Sequence, residues 1–368
     1  MIPLAKIQLA EDELEAAIQV LKSGALRQGP VTAAFEAAFA QEVGAQFAVA
    51  VSSGTAALHL LYYEFLQPGD EVLLPSFTFI ATASMVNMVG ARPIFCDISP
   101  RTFTLDVNDA RRRITYKTRA IAPVHLFGNP CDVEAVTTLA EEFDLKILWD
   151  AAQAHGAAFA GQDVGSFDHG VAYSLYPSKN MFVGEGGVIT TNDAQVYDKL
   201  KLIRSHGQSG KYLHTCLGFN YRMTDVEAAI GLKQLPKLSG WVAKRQANGE
   251  FLSTGLQDVS QIQVPEVQPK GRHSYNQYCL TLKLEDLTCT RDEFNDYLGE
   301  LGIATGVHYP RGLHQQPAYQ ELYGPSTLPV TEKVAERILA LPVHPSLSPE
   351  DLHAIVQAVK QACERFAR

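Results

Sequence analysis

Five short apolar runs alternate with helical stretches between residues 47 and 152, and no other feature constrains the fold as strongly. The runs are FAVAVS from Phe47, EVLLP from Glu71, PIFCDI from Pro93, AIAPVHLFG from Ala120 and KILWDAA from Lys146. Between them the spacing predicts helices near residues 55–66, 78–89, 106–114 and 132–143. Strands that are apolar throughout cannot face water on either side, so they require a mostly parallel sheet covered by helices on both faces. Two further runs, GVAYSLYP and GGVITTND, are expected to fold back across that sheet.

The flanking regions read differently. Leu14, Ile18 and Leu21 repeat with helical spacing and Gly24 closes that helix, while Pro30 opens another that carries Phe35 and Phe39. Residues 223–256, beginning MTDVEAAIGLKQL, form a helical connector. After it come a strand-like YNQYCLTL, a helix from Arg291 to Leu301 and a terminal helix over about 349–366. The fold class is α/β, divided into a large domain over residues 1–245 and a smaller α+β domain over 246–368.

Composition removes several classes. With 46% hydrophobic and 19% charged residues the chain is an ordinary globular one. A net charge of −9 argues against nucleic acid as a partner, and Arg111-Arg112-Arg113 reads as a solvated helix face. The six cysteines are scattered without a CxxC pair, which suits free thiols in a reducing compartment and offers no zinc framework. No signal-peptide pattern opens the chain and no apolar run approaches a membrane span, so a cytoplasmic protein without a membrane partner is expected.

Three segments carry chemistry. In Val51-Ser52-Ser53-Gly54-Thr55 an apolar strand runs into small residues and a helix start, which suits an anion site, although N-capping by Ser53 alone accounts for it. Asp150 directly follows an apolar run, at the strand edge where α/β sheets bind ligands; it suits a protonated heterocyclic nitrogen, or equally a helix cap. Lys179 lies in the polar turn of SLYPSKN, ahead of Gly184-Glu185-Gly186-Gly187. There a desolvated amine would attack an aldehyde, whereas most loop lysines are simply solvated. Together the three supply anchors for the phosphate, ring nitrogen and aldehyde of pyridoxal 5′-phosphate.

Along nearly its whole length the chain resembles the DegT/StrS-type sugar aminotransferases, of fold-type I. The matching segments are LKSGALRQGP, SSGTAALHL, PSFTFIATA, HLFGNPCD, DAAQAHGA, SLYPSKN, GEGG, GFNYRMTD, HYP, LHQQPAY and LPVHPSLS. The resemblance implies that Lys179 carries the cofactor and shuttles protons, and that Asp150 pairs with the pyridine nitrogen. It further implies that Gln153 lies by the phenolic oxygen, that Gly54, Thr55 and Ser174 bind the phosphate, and that Phe79 stacks on the ring. Asn220 would reach the phosphate in a neighbouring subunit, making a homodimer with shared sites. Dehydrating relatives carry histidine where Lys179 stands, so transamination is expected.

The same resemblance implies L-glutamate as donor and a nucleotide-linked keto-sugar as acceptor. Glu185, Arg222, His308, Tyr309 and His314 match substrate-side positions. Arg222 suits the donor carboxylate or a sugar diphosphate but reads rather as a structural ion pair, and His308, His314 and His273 lack the accompanying ligands a metal site needs, so no metal is expected. The GEGG form favours amination at C4 in a perosamine-synthase-like branch serving lipopolysaccharide O-antigen. The alternatives are a C3-specific or aminocyclitol aminotransferase, or a regulatory protein that binds the cofactor without turnover.

Overall fold

The computed structural model describes residues 1–368. Helix α1 (Glu11–Ser23) ends on Gly24, whose φ of 75° is the left-handed turn common at helix C-termini. Helix α2 (Pro30–Val43) starts on its proline, where a missing N–H costs nothing. The predicted alternation follows as β1 (Phe47–Val51), α3 (Gly54–Phe65), β2 (Glu71–Pro75), α4 (Ala81–Met88), β3 (Arg92–Cys96), α5 (Val107–Arg112), β4 (Thr118–Ile121), α6 (Val133–Phe143) and β5 (Lys146–Asp150). A small hairpin, β6 (Ala158–Phe159) and β7 (Gln162–Asp163), leads to β8 (Gly170–Ser174) and β9 (Gly187–Thr191). Helix α7 (Ala194–Arg204) and a second hairpin, β10 (Gln208–Gly210) and β11 (Leu213–His214), precede the long helix α8 (Asp225–Leu256).

Seven strands make one sheet in the order β1-β9-β8-β5-β4-β2-β3. Strand β9 is antiparallel to both neighbours and folds back as expected, whereas β8, expected to fold back too, runs parallel to β5; the pairs β5–β4, β4–β2 and β2–β3 are also parallel. Alternate strand residues face two separate cores. Leu73, Ile147, Trp149 and Tyr173 pack under α2, α6 and α8, while Val72, Leu74, Leu148 and Ala172 pack under α3, α4 and α7. Burial on both faces is why these strands read as continuous apolar runs. The run AIAPVHLFG is not one strand: β4 stops at Ile121 because Pro123 has no N–H to continue the ladder. Pairing resumes as a single bridge between Val124 and Asp150.

The remainder comprises β12 (Ile262–Gln263), β13 (Gly271–Arg272), β14 (Tyr278–Leu282), α9 (Arg291–Glu300), α10 (Pro317–Tyr323), α11 (Pro329–Arg337), β15 (Ile338–Leu341) and α12 (Pro349–Arg365). Strands β12, β14 and β15 form an antiparallel sheet, cored against α9, α12 and the end of α8. The 245/246 boundary falls inside α8, between Val242 in the large core and Leu252 in the small one. The division by residue number is not strict. Ile2 exchanges backbone bonds with Gly302 and Ala304 at 2.8 and 2.9 Å, and β13 pairs with β6 of the large part. No helix is long and apolar enough to cross a membrane.

Buried carboxylates fix how the pieces meet. Asp97 accepts from Val330 N (3.0 Å), Thr331 N (2.7 Å) and Thr331 Oγ1 (2.7 Å), pinning the start of α11 to the end of β3. Asp225 does the same for α2, accepting from the N–H groups of Gly29 (2.8 Å), Val31 (3.3 Å) and Thr32 (2.8 Å) and from Thr32 Oγ1 (2.6 Å). Because Asp225 is only 1% exposed, Asp225→Ala leaves several buried donors without partners. The expected loss is about 2–4 kcal/mol of stability, read as a lowered urea midpoint. A midpoint unchanged from the parent would show that water or rearrangement replaces the cap.

Candidate active site

The C-terminal edge of the sheet gathers the three segments singled out in the sequence. Asp150 ends β5, Ser174 ends the adjacent β8, and α3 begins at Gly54 just beyond β1. Ser53 does cap α3, accepting from Ala56 N at 3.0 Å, so the capping reading is correct. It does not displace the anion site. A Cβ on Gly54 would lie 2.6 Å from Ser174 Cβ, so only glycine lets the helix N-terminus come this close to the Ser174 hydroxyl. The free N–H groups of that first turn, the helix dipole and Ser174 then converge on one place suited to a phosphate.

Asp150 is buried, at 3% exposure. Burial raises its pKa, opposed by a bond from Ala152 N at 3.0 Å, a bond from Thr82 Oγ1 at 2.8 Å and the charge of Lys179. Lys179 sits in the turn after β8, its N–H bonded to Tyr176 O at 2.9 Å. Desolvation lowers its amine to about 8, and the nearby Asp150 charge only partly offsets this. Ordinary lysines stand near 10.4, so this amine is primed as a nucleophile and proton carrier at neutral pH.

Gln153 is held at both ends. Its Oε1 accepts from Phe127 N at 2.7 Å, and its Nε2 donates to Tyr309 Oη at 3.2 Å. Phe127 adopts a φ of 60°, uncommon for a bulky residue, and its ring packs edge-on against Phe77 and Phe103. That local strain presents the N–H that fixes Gln153. Phe79 is 55% exposed and its ring centroid lies 6.5 Å from that of Tyr309, leaving an aromatic face open at the site.

The other sequence candidates separate. Burial lowers the pKa of His308, aided by the nearby Lys179 charge, and its Nδ1 has no partner. Arg222 pairs by backbone with Val51 at the end of β1, and its guanidinium enters no ion pair, so the structural-pair reading does not hold within this chain. Thr55, Glu185 and Asn220 are exposed. His314 requires a correction. It is 1% exposed with both ring nitrogens taken, Nδ1 by Ser76 Oγ at 2.7 Å and Nε2 by Glu332 Oε1 at 3.1 Å. It braces the end of β2 against α11 and has no free ring atom for a substrate. His273 stacks on Tyr275 and accepts from its N–H, apart from the other two histidines. His155 is fully buried against Tyr173, as a packed neighbour. The arginine run is paired rather than free: Arg111 with Glu142, Arg112 and Arg113 with Asp109. Thr78 and Thr82, within PSFTFIATA, join the site only in the folded structure and carry no role in the sequence alone. Two hydroxyls four apart beside a strand-end aspartate were the available signal.

The residues present fit pyridoxal phosphate on their own chemistry. A cradle that any side chain at position 54 would fill, a buried carboxylate, a depressed amine and an open aromatic face are what its phosphate, ring nitrogen, aldehyde and ring require. A sheet of this order with that site at its C-terminal edge defines a fold-type I pyridoxal-phosphate enzyme.

Comparison narrows the class. The model of the DegT/DnrJ/EryC1/StrS aminotransferase family matches residues 7–360. GDP-perosamine synthase of Caulobacter vibrioides is 37% identical over 332 residues, covering 89% of this chain and 88% of that one. The dTDP-3-amino-3,4,6-trideoxy-alpha-D-glucose transaminase of Streptomyces venezuelae is 36% identical over 372 residues, covering 99% and 97%. The solved structure of S. venezuelae DesV superimposes with a TM-score of 0.91 at 34% identity, covering 95% of this chain and 94% of that one. This chain belongs to the DegT/DnrJ/EryC1/StrS family and is a pyridoxal-phosphate-dependent sugar aminotransferase.

Proposed function

We propose that the protein moves the amino group of L-glutamate to C4 of a nucleotide-linked 4-keto-6-deoxy sugar, in the manner of perosamine synthase and in the service of O-antigen synthesis. The observation that carries the transfer chemistry is the gathering at one sheet edge of Lys179 in the turn after β8, the buried Asp150 at the end of β5 and the close approach of Gly54 to Ser174. The C4 assignment is supported by the Gly184-Glu185-Gly186-Gly187 form and by the likeness to the Caulobacter enzyme. A C3 acceptor is the second reading, supported by the nearly equal likeness to the Streptomyces transaminase.

When bound, the cofactor supplies an aldehyde that takes up the amino group and a protonated ring that withdraws electrons from the donor's Cα. Lys179 would hold the cofactor at its aldehyde carbon and would move a proton to and from the donor carbon. With an amine near 8 it can both accept and release that proton at physiological pH. Asp150 holds the proton on the ring nitrogen, and Gly54, Thr55 and Ser174 bind the phosphate. Phe79 covers the ring face, while Gln153, fixed by Phe127 and Tyr309, bonds the phenolic oxygen. The unpaired Arg222 suits the donor carboxylate or the sugar diphosphate, because a guanidinium forks onto either. Neutral His308, Tyr309 and Glu185 complete the acceptor side.

The active unit in this proposal is a homodimer, with Asn220 of each protomer reaching its partner's cofactor phosphate. Exposed apolar residues near Asn220 support it: Tyr212, Leu213 and Leu217 stand largely in water in the single chain. So does the outward stripe of Leu14, Ile18 and Leu21 on α1.

Incubation with L-glutamate and GDP-, UDP- or dTDP-linked 4-keto-6-deoxyhexoses, their 3-keto counterparts and a keto-inositol tests the assignment. A product with nitrogen at C4, located by NMR, is expected. Exclusive C3 amination or an aminocyclitol product would overturn the C4 reading.

A further inference from the structure

Asp150 is buried where an unassisted carboxylate would be neutral, yet the chemistry assigned to it needs a charge. Its Oδ1 accepts from the backbone N–H of Ala152 at 3.0 Å. The one side chain that bonds it is Thr82, whose hydroxyl lies 2.8 Å from Oδ2. Thr82 is fully buried in the first turn of α4. A threonine inside a helix commonly satisfies its hydroxyl on the carbonyl four residues back. Here residue 78 is another threonine, and the contact, at 3.1 Å, is between the two hydroxyl oxygens.

Proton counting sets the direction. Each hydroxyl carries one hydrogen, and an ionised carboxylate only accepts. With Thr82 donating to Asp150, the bond between the threonines is donated by Thr78, which leaves the Thr82 oxygen polarised towards the carboxylate. Thr82 is itself braced, its carbonyl accepting from Tyr62 Oη at 3.1 Å and its N–H bonded to Phe79 O at 3.2 Å. Residues 78–82 thus carry both the open Phe79 ring and the donor to Asp150 on one short segment.

We propose that Thr82, backed by Thr78, is a positioning residue that holds the Asp150 carboxylate in one orientation and in its charged form. The proposal rests on the role given to Asp150 above. Removing the hydroxyl makes Asp150 easier to protonate, so activity is lost at a higher pH on the acid side.

The test uses the full-length protein loaded with pyridoxal phosphate and compares Thr82→Val, Thr82→Ser and Asp150→Asn. Three quantities are read: the single-turnover rate with L-glutamate, the pH dependence of the loaded protein's visible spectrum and of that rate, and cofactor affinity. Thr82→Val keeps the side-chain volume and is expected to slow the half-reaction about 10- to 100-fold, the worth of one bond to a charged group. It should also move the acid limb to higher pH. Thr82→Ser keeps the donor and should stay within about threefold of the parent. If Thr82→Val matches the parent in rate and pH profile while Asp150→Asn is impaired, the positioning role is wrong. Equal impairment of both threonine variants, with no movement of the acid limb, would also overturn it, since packing would then be the cause. If Asp150→Asn is itself unimpaired, it is the reading of Asp150 that fails.

Discussion

Lys179→Ala is expected to abolish covalent capture of pyridoxal phosphate and to lower turnover by at least about 10²- to 10⁴-fold, the range assigned to a positioned proton-transfer group. Borohydride treatment followed by mass spectrometry should find the cofactor's mass on the peptide containing residue 179 in the parent and nowhere in the variant. The fold should survive, because burial already penalises the ammonium and only the Asp150 charge offsets that penalty. The phosphate cradle of Gly54 and Ser174 is untouched, so cofactor should still bind reversibly. The parent makes a further pH prediction. Only the free amine attacks an aldehyde, and with the amine at about 8 roughly a tenth is free at pH 7 and half at pH 8. The rate of cofactor capture should therefore rise through neutral pH and level off above 8. A flat profile, or activity close to the parent's in Lys179→Ala, would remove Lys179 from its role.

Asp150→Asn is expected to slow turnover about 100- to 1000-fold, as loss of a fixed charge facing a reacting centre does. Stability should be unchanged or slightly raised, because the variant no longer buries an ionisable carboxyl that desolvation disfavours. Affinity for cofactor should fall much less than the rate, since the proposed phosphate contacts lie on α3 and β8 and not on β5. Parallel measurement of turnover, cofactor affinity and urea midpoint separates these effects. Unchanged turnover would mean that the ring nitrogen has another partner.

Much of this architecture is legible in the sequence, for identifiable reasons. Strands buried on both faces leave short apolar runs between helical stretches, so β1, β2 and β5 fall within the predicted segments and β3 starts one residue earlier, at Arg92. The three candidate anchors stand out in the sequence because each lies at or just beyond the C-terminal end of a strand. Most of what escaped depends on contacts between distant residues. Pro123 broke a run that looked continuous, and periodicity alone does not say that the Leu14, Ile18, Leu21 stripe of α1 points outward. Glu13, on that helix, faces α8 instead, taking bonds from Lys237 Nζ at 2.8 Å and Gln234 Nε2 at 3.1 Å. His314 shows the same limit. A histidine in a matched motif reads as a ligand until its two nitrogens are found already occupied by Ser76 and Glu332, 238 and 18 residues away. The left-handed Phe127 that fixes Gln153 has no signature beyond the glycine after it.

The most direct test of the central claim is the visible absorption spectrum of the purified protein, recorded with pyridoxal phosphate and again after adding L-glutamate. The predicted result is a yellow band dependent on Lys179 that bleaches on addition of glutamate, with one equivalent of 2-oxoglutarate released per site. A band that glutamate leaves unchanged would contradict glutamate as the donor. Absence of any band with excess cofactor would contradict the assignment of Lys179 and the cofactor site together.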